Sequence, residues 1–285
     1  MKRRHPRVAG ARRGLRALAL GALLACGAAA AAAAEEKPMR ELDPVHVSAI
    51  RDPEARKYKA ILAGLDTFDE YHALAPRVDK LRFRIDPRRK QAPPVAPQVR
   101  LAGDDGFVLP LALDATGRFE VPRSEAAEDA RSELELNQKR GLYRIGIEVK
   151  TPGLAPDRRR LGDLRLECKV LIAIGKAEMP FYWVGLINGI LLRSDWCSFF
   201  GDEKSTAYGG AAKEAGFGFR VERPFTEAIL VEGKRSALLK RSGDHVEVPI
   251  GNSTWSDEAM IEFTFAEPGV AMATGTAGGT PRTAP

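Results

Sequence analysis

Apolar residues follow a helical spacing in the first part of the chain. Between residues 53 and 75 they recur every three or four positions, which is the period of an amphipathic helix. The residues concerned are Tyr58, Ile61, Leu62, Leu65, Phe68 and His72. Asp52 and Pro53 offer a helix cap and a first helical residue, and Pro76 offers a stop. The pattern predicts a helix over residues 53–75, inside an N-terminal helical segment 35–77.

From residue 81 onward the apolar spacing changes to every second position. Short alternating runs are separated by turns rich in Gly and Asp, and a Pro-rich stretch over residues 87–97 predicts a long loop. The predicted strands are Leu81–Ile85, Val99–Leu101, Phe107–Leu113, Arg118–Val121, Leu134–Leu136 and Leu142–Val149. Short strands at a spacing of about ten residues are typical of a β-sandwich.

Two short segments recur later in the chain at one common offset. Phe119–Pro122 is echoed by Val246–Pro249, and Leu134–Leu136 by Ile261–Phe263, both 127 positions on. This repetition favours two related β units. The predicted fold class is mainly β with an N-terminal helix (α+β), in two small β-sandwich-like units. The units are 78–176 and 217–266, joined by an apolar helix and loop connector 177–216, and the tail 267–285 is expected to be disordered.

The first β unit resembles a known class of sandwich module. The residues that carry the resemblance are Leu109, Pro110, Leu111, Asp114, Gly117, Phe119 and Pro122. In this strand-turn-strand stretch the chain resembles the carboxypeptidase-regulatory or transthyretin-like modules. The resemblance implies a structural or binding domain, and it supplies no catalytic residue.

Fourteen residues between the two units carry no charge. They run from Met179 to Leu192 with the sequence MPFYWVGLINGILL. This length is too short for a bilayer span. It favours a buried helix or a pair of core strands over a membrane-facing segment.

The first 34 residues have the composition of an export signal. A basic start is followed by an apolar run from Ala17 to Ala34, and acidic residues begin at Glu35. Cleavage near Ala34 is one outcome. Leu23-Leu24-Ala25-Cys26 also resembles the lipobox of bacterial lipoproteins, which would place a lipid on Cys26 as the only membrane attachment. Both alternatives predict a cell-envelope protein that is periplasmic or anchored to the outer membrane.

Removal of this segment changes the charge balance. Residues 1–34 hold seven of the 44 basic residues and none of the 38 acidic ones, so the remaining chain has 37 basic and 38 acidic side chains. A near-neutral chain gives no reason to expect a nucleic-acid partner. The basic runs Arg88–Lys90 and Arg158–Arg160 are expected to be solvated loops.

Two cysteines remain after the export segment. Cys168 lies in an alternating run with Leu164, Leu166 and Val170, which predicts an inward-facing strand position, and Cys197 follows an apolar segment. An exported protein favours a disulfide between them.

Residues that carry catalytic chemistry are sparse. The remaining histidines, His46, His72 and His245, lie on different predicted elements, and neither a nucleophile motif nor a phosphate loop is present. We therefore predict no catalytic residue, no cofactor and no metal site. The favoured function is a non-catalytic envelope protein whose modules bind or scaffold an envelope protein or glycan.

The alternative is an envelope glycan hydrolase. It would use carboxylates from the pairs Asp202-Glu203 and Asp257-Glu258. Trp196 and Trp255 would then provide surfaces for sugar stacking.

Overall fold

The computed structural model describes residues 52–88, 96–205 and 210–266 of the 285-residue chain. The described residues belong to one compact unit. The export segment with Cys26, the residues around His46, most of the Pro-rich loop and the tail 267–285 lie outside the described residues. Predictions made for them stay predictions.

The described chain is a mixture of helices and antiparallel strands. The α-helices are α1 Tyr58–Glu70, α2 Glu125–Asp129, α3 Leu161–Glu178, α4 Phe181–Leu191 and α5 Ala211–Glu214. Short 3₁₀ helices cover His72–Leu74, Asp104–Gly106 and Trp196–Phe199.

The strands follow the alternating segments of the sequence. In the first part they are β1 Pro53–Lys57, β2 Arg82–Pro87, β3 Val99–Ala102, β4 Val108–Leu111, β5 Arg118–Phe119, β6 Glu133–Lys139 and β7 Tyr143–Glu148. In the second part they are β8 Arg158–Arg160, β9 Phe217–Arg220, β10 Phe225–Glu232, β11 Arg235–Leu238, β12 Lys240–Ser242, β13 His245–Val248 and β14 Met260–Phe265. The six strands predicted between residues 81 and 149 are confirmed as β2 to β7.

These strands form four antiparallel sheets. The first part contributes the orders β1-β6-β3-β4 and β5-β2-β7, and the second part β11-β10-β14-β8 and β12-β13-β9. The repeated segments agree with this arrangement in part. Leu134 of β6 and Ile261 of β14 are both fully buried on inner strands. In contrast, β5 is an edge strand whereas β13 lies at the centre of its sheet.

Helix α3 contributes side chains to two separate hydrophobic cores. Leu166, Val170 and Ile174 pack in the core formed by α1 and the first two sheets. Leu161, Leu164 and Cys168 pack in the core of the other two sheets. The two cores are therefore joined through one buried helix.

Two local predictions are wrong. Residues 53–57 form strand β1, not the start of a helix, because Arg56 pairs with Leu134 and Lys57 with Glu133 on β6. The run around Cys168 lies in helix α3, not in a strand. Its buried positions alternate in sequence because opposite sides of the helix face different cores.

Candidate functional site

Helix α4 accounts for most of the uncharged segment between the two β units. Its first turn begins after Pro180, whose carbonyl oxygen accepts a hydrogen bond from the Trp183 amide at 3.0 Å. Its last turn ends at Leu192, which has the left-handed φ of 53°. No residue of the helix is buried. The prediction of a helix here is confirmed, and the prediction that it packs in the core is wrong.

The outer side of α4 is apolar. Phe181, Tyr182, Trp183, Leu186 and Leu192 have exposed fractions of 87%, 59%, 49%, 51% and 76%, and Ile190 is half exposed beside them. Tyr182, Trp183 and Leu186 fall within an arc of about 100° on the helix, since successive residues are about 100° apart. We call these five residues, Phe181, Tyr182, Trp183, Leu186 and Leu192, the α4 surface.

The opposite side of α4 faces the protein and carries its one amide side chain. Val184, Ile187, Asn188 and Leu191 share an arc of about 100° and are half buried. The Asn188 Oδ1 accepts a hydrogen bond from the indole nitrogen of Trp196 at 2.7 Å. Apolar residues thus occupy both the inner and the outer side of α4, and the polar outer side of a usual surface helix is missing.

A disulfide fixes the ends of the segment that contains α4. The Sγ atoms of Cys168, in α3, and Cys197, in the following 3₁₀ helix, are 2.07 Å apart, so the predicted pair is confirmed. The ammonium group of Lys176 donates to the Ser194 carbonyl at 2.6 Å and lies 4.7 Å from the Trp196 ring centroid. Burial lowers the pKa of Lys176. These contacts tie the chain that follows α4 to α3.

A second candidate is a charged cleft of about 640 Å³ beside β5 and β7. Its charged lining residues are Asp79, Lys80, Arg82, Asp114, Arg118, Glu120, Glu148 and Lys150. The cleft pairs many of its own charges, with Lys80 at 2.9 Å from Glu120 and Arg118 hydrogen-bonded to Glu148 and Glu222. Burial favours neutral Glu148, but Arg118 outweighs it and holds the pKa of Glu148 below its ordinary value. A cleft of this kind offers little net charge to a ligand.

The carboxylates of the hydrolase alternative are used as structural partners. Asp202 pairs with Arg193 at 3.1 Å, and Glu203 accepts a hydrogen bond from the Asn252 amide at 2.8 Å. Asp257 pairs with Arg165 and Glu258 with the buried Arg160. The hydrogen bonds from Arg160 lower the pKa of Glu258, the opposite of what a general acid requires.

The proposed sugar-stacking tryptophans are not exposed. Trp196 and Trp255 are only 7% and 4% exposed, and the Arg235 guanidinium lies 3.6 Å from the Trp255 ring centroid. The tryptophan with an exposed face is Trp183 of the α4 surface. The expectation of stacking surfaces at Trp196 and Trp255 is therefore wrong.

The other polar groups singled out in the sequence serve the fold. His72 contacts the Val78 carbonyl oxygen at 2.7 Å, and His245 lies 2.7 Å from Asp244. Within the described ranges, no group of three His, Cys, Asp or Glu residues could hold a metal ion. The run Arg158–Arg160 is strand β8 and not a solvated loop, with Arg159 bound to Glu167 at 3.0 Å and Arg160 almost fully buried.

The exposed α4 surface is the functional candidate that the sequence did not identify. The sequence did contain one sign of this exposure. Phe181, Tyr182 and Trp183 are consecutive, and successive residues on a helix lie about 100° apart. Three such aromatic side chains cannot all face the same core. None of the helices in the described part of the chain is both long enough and apolar enough to cross a membrane.

Comparison with protein-family models, with curated proteins and with solved structures gives no match to this chain.

Proposed function

We propose that this chain is an exported, non-catalytic cell-envelope protein that binds or scaffolds a partner through the α4 surface. The observation that supports the proposal is the apolar outer side of α4. Large apolar side chains are exposed there, and a disulfide ties the chain that follows the helix to α3. Exposed apolar patches of this kind mark interaction surfaces in soluble domains.

The β units provide the rigid support for this surface. Each hydrophobic core takes side chains from two antiparallel sheets and from α3. Such an arrangement supports the interpretation of two sandwich-like modules, in keeping with the resemblance to transthyretin-like domains. In such modules binding is carried by the surface and needs no catalytic constellation.

Export is the second part of the proposal. The basic and apolar composition of residues 1–34 supports it, with cleavage near Ala34 or lipidation at Cys26. The disulfide between Cys168 and Cys197 is compatible with an oxidising compartment. Intact-mass analysis of protein from its native host tests this part, and a species that retains Arg12 and Arg13 would contradict it.

A complementation experiment tests the role of the α4 surface. The variant Phe181→Gln/Tyr182→Gln/Leu186→Gln, called the α4 triple variant, keeps good helix formers and removes apolar area. We expect that this variant will not restore the wild-type phenotype when it is expressed in a deletion strain. The matched control Val108→Gln/Leu238→Gln changes apolar side chains that are 51% and 73% exposed elsewhere. This control should complement fully.

The carboxylates separate binding from hydrolysis in the same strain. Asp202→Asn/Glu203→Gln/Asp257→Asn/Glu258→Gln replaces each carboxylate by its amide isostere. A binding protein keeps its role if the variant is folded, whereas loss of a general acid would slow a hydrolase roughly 100-fold or more. A folded quadruple variant that fails to complement, beside an α4 triple variant that complements, would reverse our proposal.

A further inference from the structure

We infer that the α4 surface inserts into the headgroup region of a lipid bilayer, so that α4 is a membrane contact of its own in addition to any lipid on Cys26. This inference rests on the proposed function, because it names the partner of the same surface. It departs from the expectation that a lipid on Cys26 is the only membrane attachment.

The chemistry of the α4 surface suits a membrane interface. Phe181, Tyr182 and Trp183 are aromatic, and Tyr and Trp combine an apolar ring with a polar group, the composition enriched where bilayers meet water. Charged residues are absent from Met179 to Leu192. A protein-binding patch usually has a polar rim around its apolar centre. The outer side of α4 instead continues into Gly185 and Gly189, whose surroundings are open.

The length of α4 fixes how it can meet a bilayer. Its 11 residues span about 16 Å at 1.5 Å per residue, whereas a hydrocarbon core is about 30 Å thick. The helix therefore lies in the plane of the interface with its outer side toward the acyl chains, as interfacial helices do.

The position at which the N-terminal chain enters the fold supports a membrane as the partner that covers the α4 surface. Arg56 of β1 is paired at 2.8 Å with Glu178, the last residue of α3, two positions before Pro180. The described chain thus begins within a few residues of the base of α4. Twenty-five residues, 27–51, separate Cys26 from this point, and they reach at most about 90 Å when fully extended. A chain anchored at Cys26 would keep α4 within reach of the same membrane.

The charges around α4 predict how the binding depends on lipid and salt. Arg193 is paired with Asp202 at 3.1 Å, Lys169 with Asp195 at 3.1 Å, and Arg56 with Glu178. Because these cations already have carboxylate partners, attraction to anionic headgroups is weak. Burial of apolar area should drive the insertion, and zwitterionic vesicles should be bound at low and high salt alike.

Vesicle flotation tests the inference on the chain from Glu35, which contains all the described residues of both cores, since these lie at or after Tyr58. The probe is phosphatidylcholine vesicles. The wild type should float with them, with binding changed less than about twofold between 50 and 500 mM salt. The α4 triple variant should bind roughly 100-fold more weakly, given the apolar area it loses. The Val108→Gln/Leu238→Gln control should bind like the wild type.

Tryptophan emission provides a second measurement on the same samples. Trp183 is half exposed, whereas Trp196 and Trp255 are buried. Vesicles should therefore shift the emission to shorter wavelength through Trp183 alone, and Trp183→Phe should abolish the shift while the protein still floats. A shift that survives Trp183→Phe contradicts insertion at α4.

The outcomes distinguish the lipid inference from the function it rests on. If the wild type does not float, or if it floats only with anionic vesicles at low salt, the lipid inference is wrong. If it forms a dimer that the α4 triple variant abolishes and does not float, the occupant is a second copy of the chain. In both cases the proposed function stands as long as the α4 triple variant fails to complement. If flotation requires α4 but the triple variant complements, the proposed function is wrong and the lipid contact stands.

Discussion

Buried charged side chains in this protein are matched to specific partners. Asp163 is fully buried at the start of α3 and accepts hydrogen bonds from the Thr151 amide at 2.7 Å and hydroxyl at 2.8 Å. Burial raises the pKa of Glu167, which lies one turn further on and binds Arg159. Removal of one partner leaves a buried polar group without a hydrogen bond, which lowers the free energy of unfolding.

The hydrogen bonds to Asp163 are expected to contribute to stability. Asp163→Ala should lower the free energy of unfolding by about 3 kcal/mol, because it leaves the Thr151 amide buried without an acceptor and Arg160 with one carboxylate fewer. Asp163→Asn keeps an acceptor oxygen and should cost clearly less. Urea unfolding of both variants measures the difference. Equal losses would show that the hydrogen bonds to Thr151 do not matter.

Asp114 gives a prediction about pH. Its carboxylate accepts hydrogen bonds from the Thr116 hydroxyl at 2.6 Å and from the Arg118 amide at 2.9 Å. The Thr116 hydrogen bond, followed by that from Arg118, lowers the pKa of Asp114 to about 2 from its ordinary 3.8. A lowered folded pKa adds stability above the ordinary pKa, and this stability is lost as pH falls toward the folded value.

Asp114→Asn keeps the acceptor oxygen but cannot titrate. The wild type should therefore be the more stable protein at pH 6, and its advantage should shrink between pH 4 and pH 2, where Asp114 becomes protonated. Urea unfolding of both proteins at several pH values in this window measures the difference. A difference that stays constant with pH would contradict the assigned pKa.

At the scale of elements, the structure shows why the alternation of apolar and polar residues predicted some strands correctly and gave wrong predictions elsewhere. Strands β3, β6 and β7 alternate buried and less buried residues along most of their length, so apolar alternation identified them. Residues 53–57 combine Pro, Ala and charged side chains and pair with β6 through backbone hydrogen bonds, which leave no apolar pattern. In α3, Leu164 and Leu166 face different cores, so a helix produces the alternation of a strand.

The disulfide between α3 and the 3₁₀ helix at Trp196 closes the segment that contains α4. Cys168 and Cys197 are 29 positions apart. In the chain-entropy model, a disulfide that closes a loop of this length raises the free energy of unfolding by about 3 to 4 kcal/mol. Cys168→Ala/Cys197→Ala should lower the free energy of unfolding by about that amount in guanidinium titrations. A loss below about 1 kcal/mol would indicate that the bridge does not constrain the unfolded chain.

The end of α4 carries a residue in an unfavourable backbone conformation. Leu192 has a φ of 53° and a side chain that is 76% exposed. Leu192→Gly should leave the free energy of unfolding unchanged or raise it by up to about 1 kcal/mol, because glycine adopts this φ without strain. Leu191→Gly, one residue earlier and inside the helix, should lower it by about 1 kcal/mol or more. Thermal unfolding of the pair decides between these directions, and equal losses would contradict the helix end.

For the whole molecule, the sequence predicted the antiparallel strands and the disulfide, but not the large share of helix, α3 above all, and not the candidate site. The composition of residues 179–192 shows only that the segment is largely apolar. It does not show whether their own chain, a partner or a lipid surface covers them. The structure shows that the described chain does not bury them, since α3 contributes to both cores and no residue of α4 belongs to either. The four carboxylates of the hydrolase alternative are adjacent in sequence but have different partners in space. Three of them pair with different arginines, and Glu203 accepts a hydrogen bond from the Asn252 amide.

The exposure of the α4 surface is tested most directly by one matched pair of substitutions. Leu186→Gln changes a residue of α4 that is 51% exposed, and Leu164→Gln makes the same change in α3 at a residue that is 1% exposed. In urea unfolding of the chain from Glu35, Leu186→Gln should lower the free energy of unfolding by no more than about 1 kcal/mol. Leu164→Gln should lower it by about 3 kcal/mol or more. A loss for Leu186→Gln as large as that for Leu164→Gln would place α4 in the core and contradict its role as a binding surface.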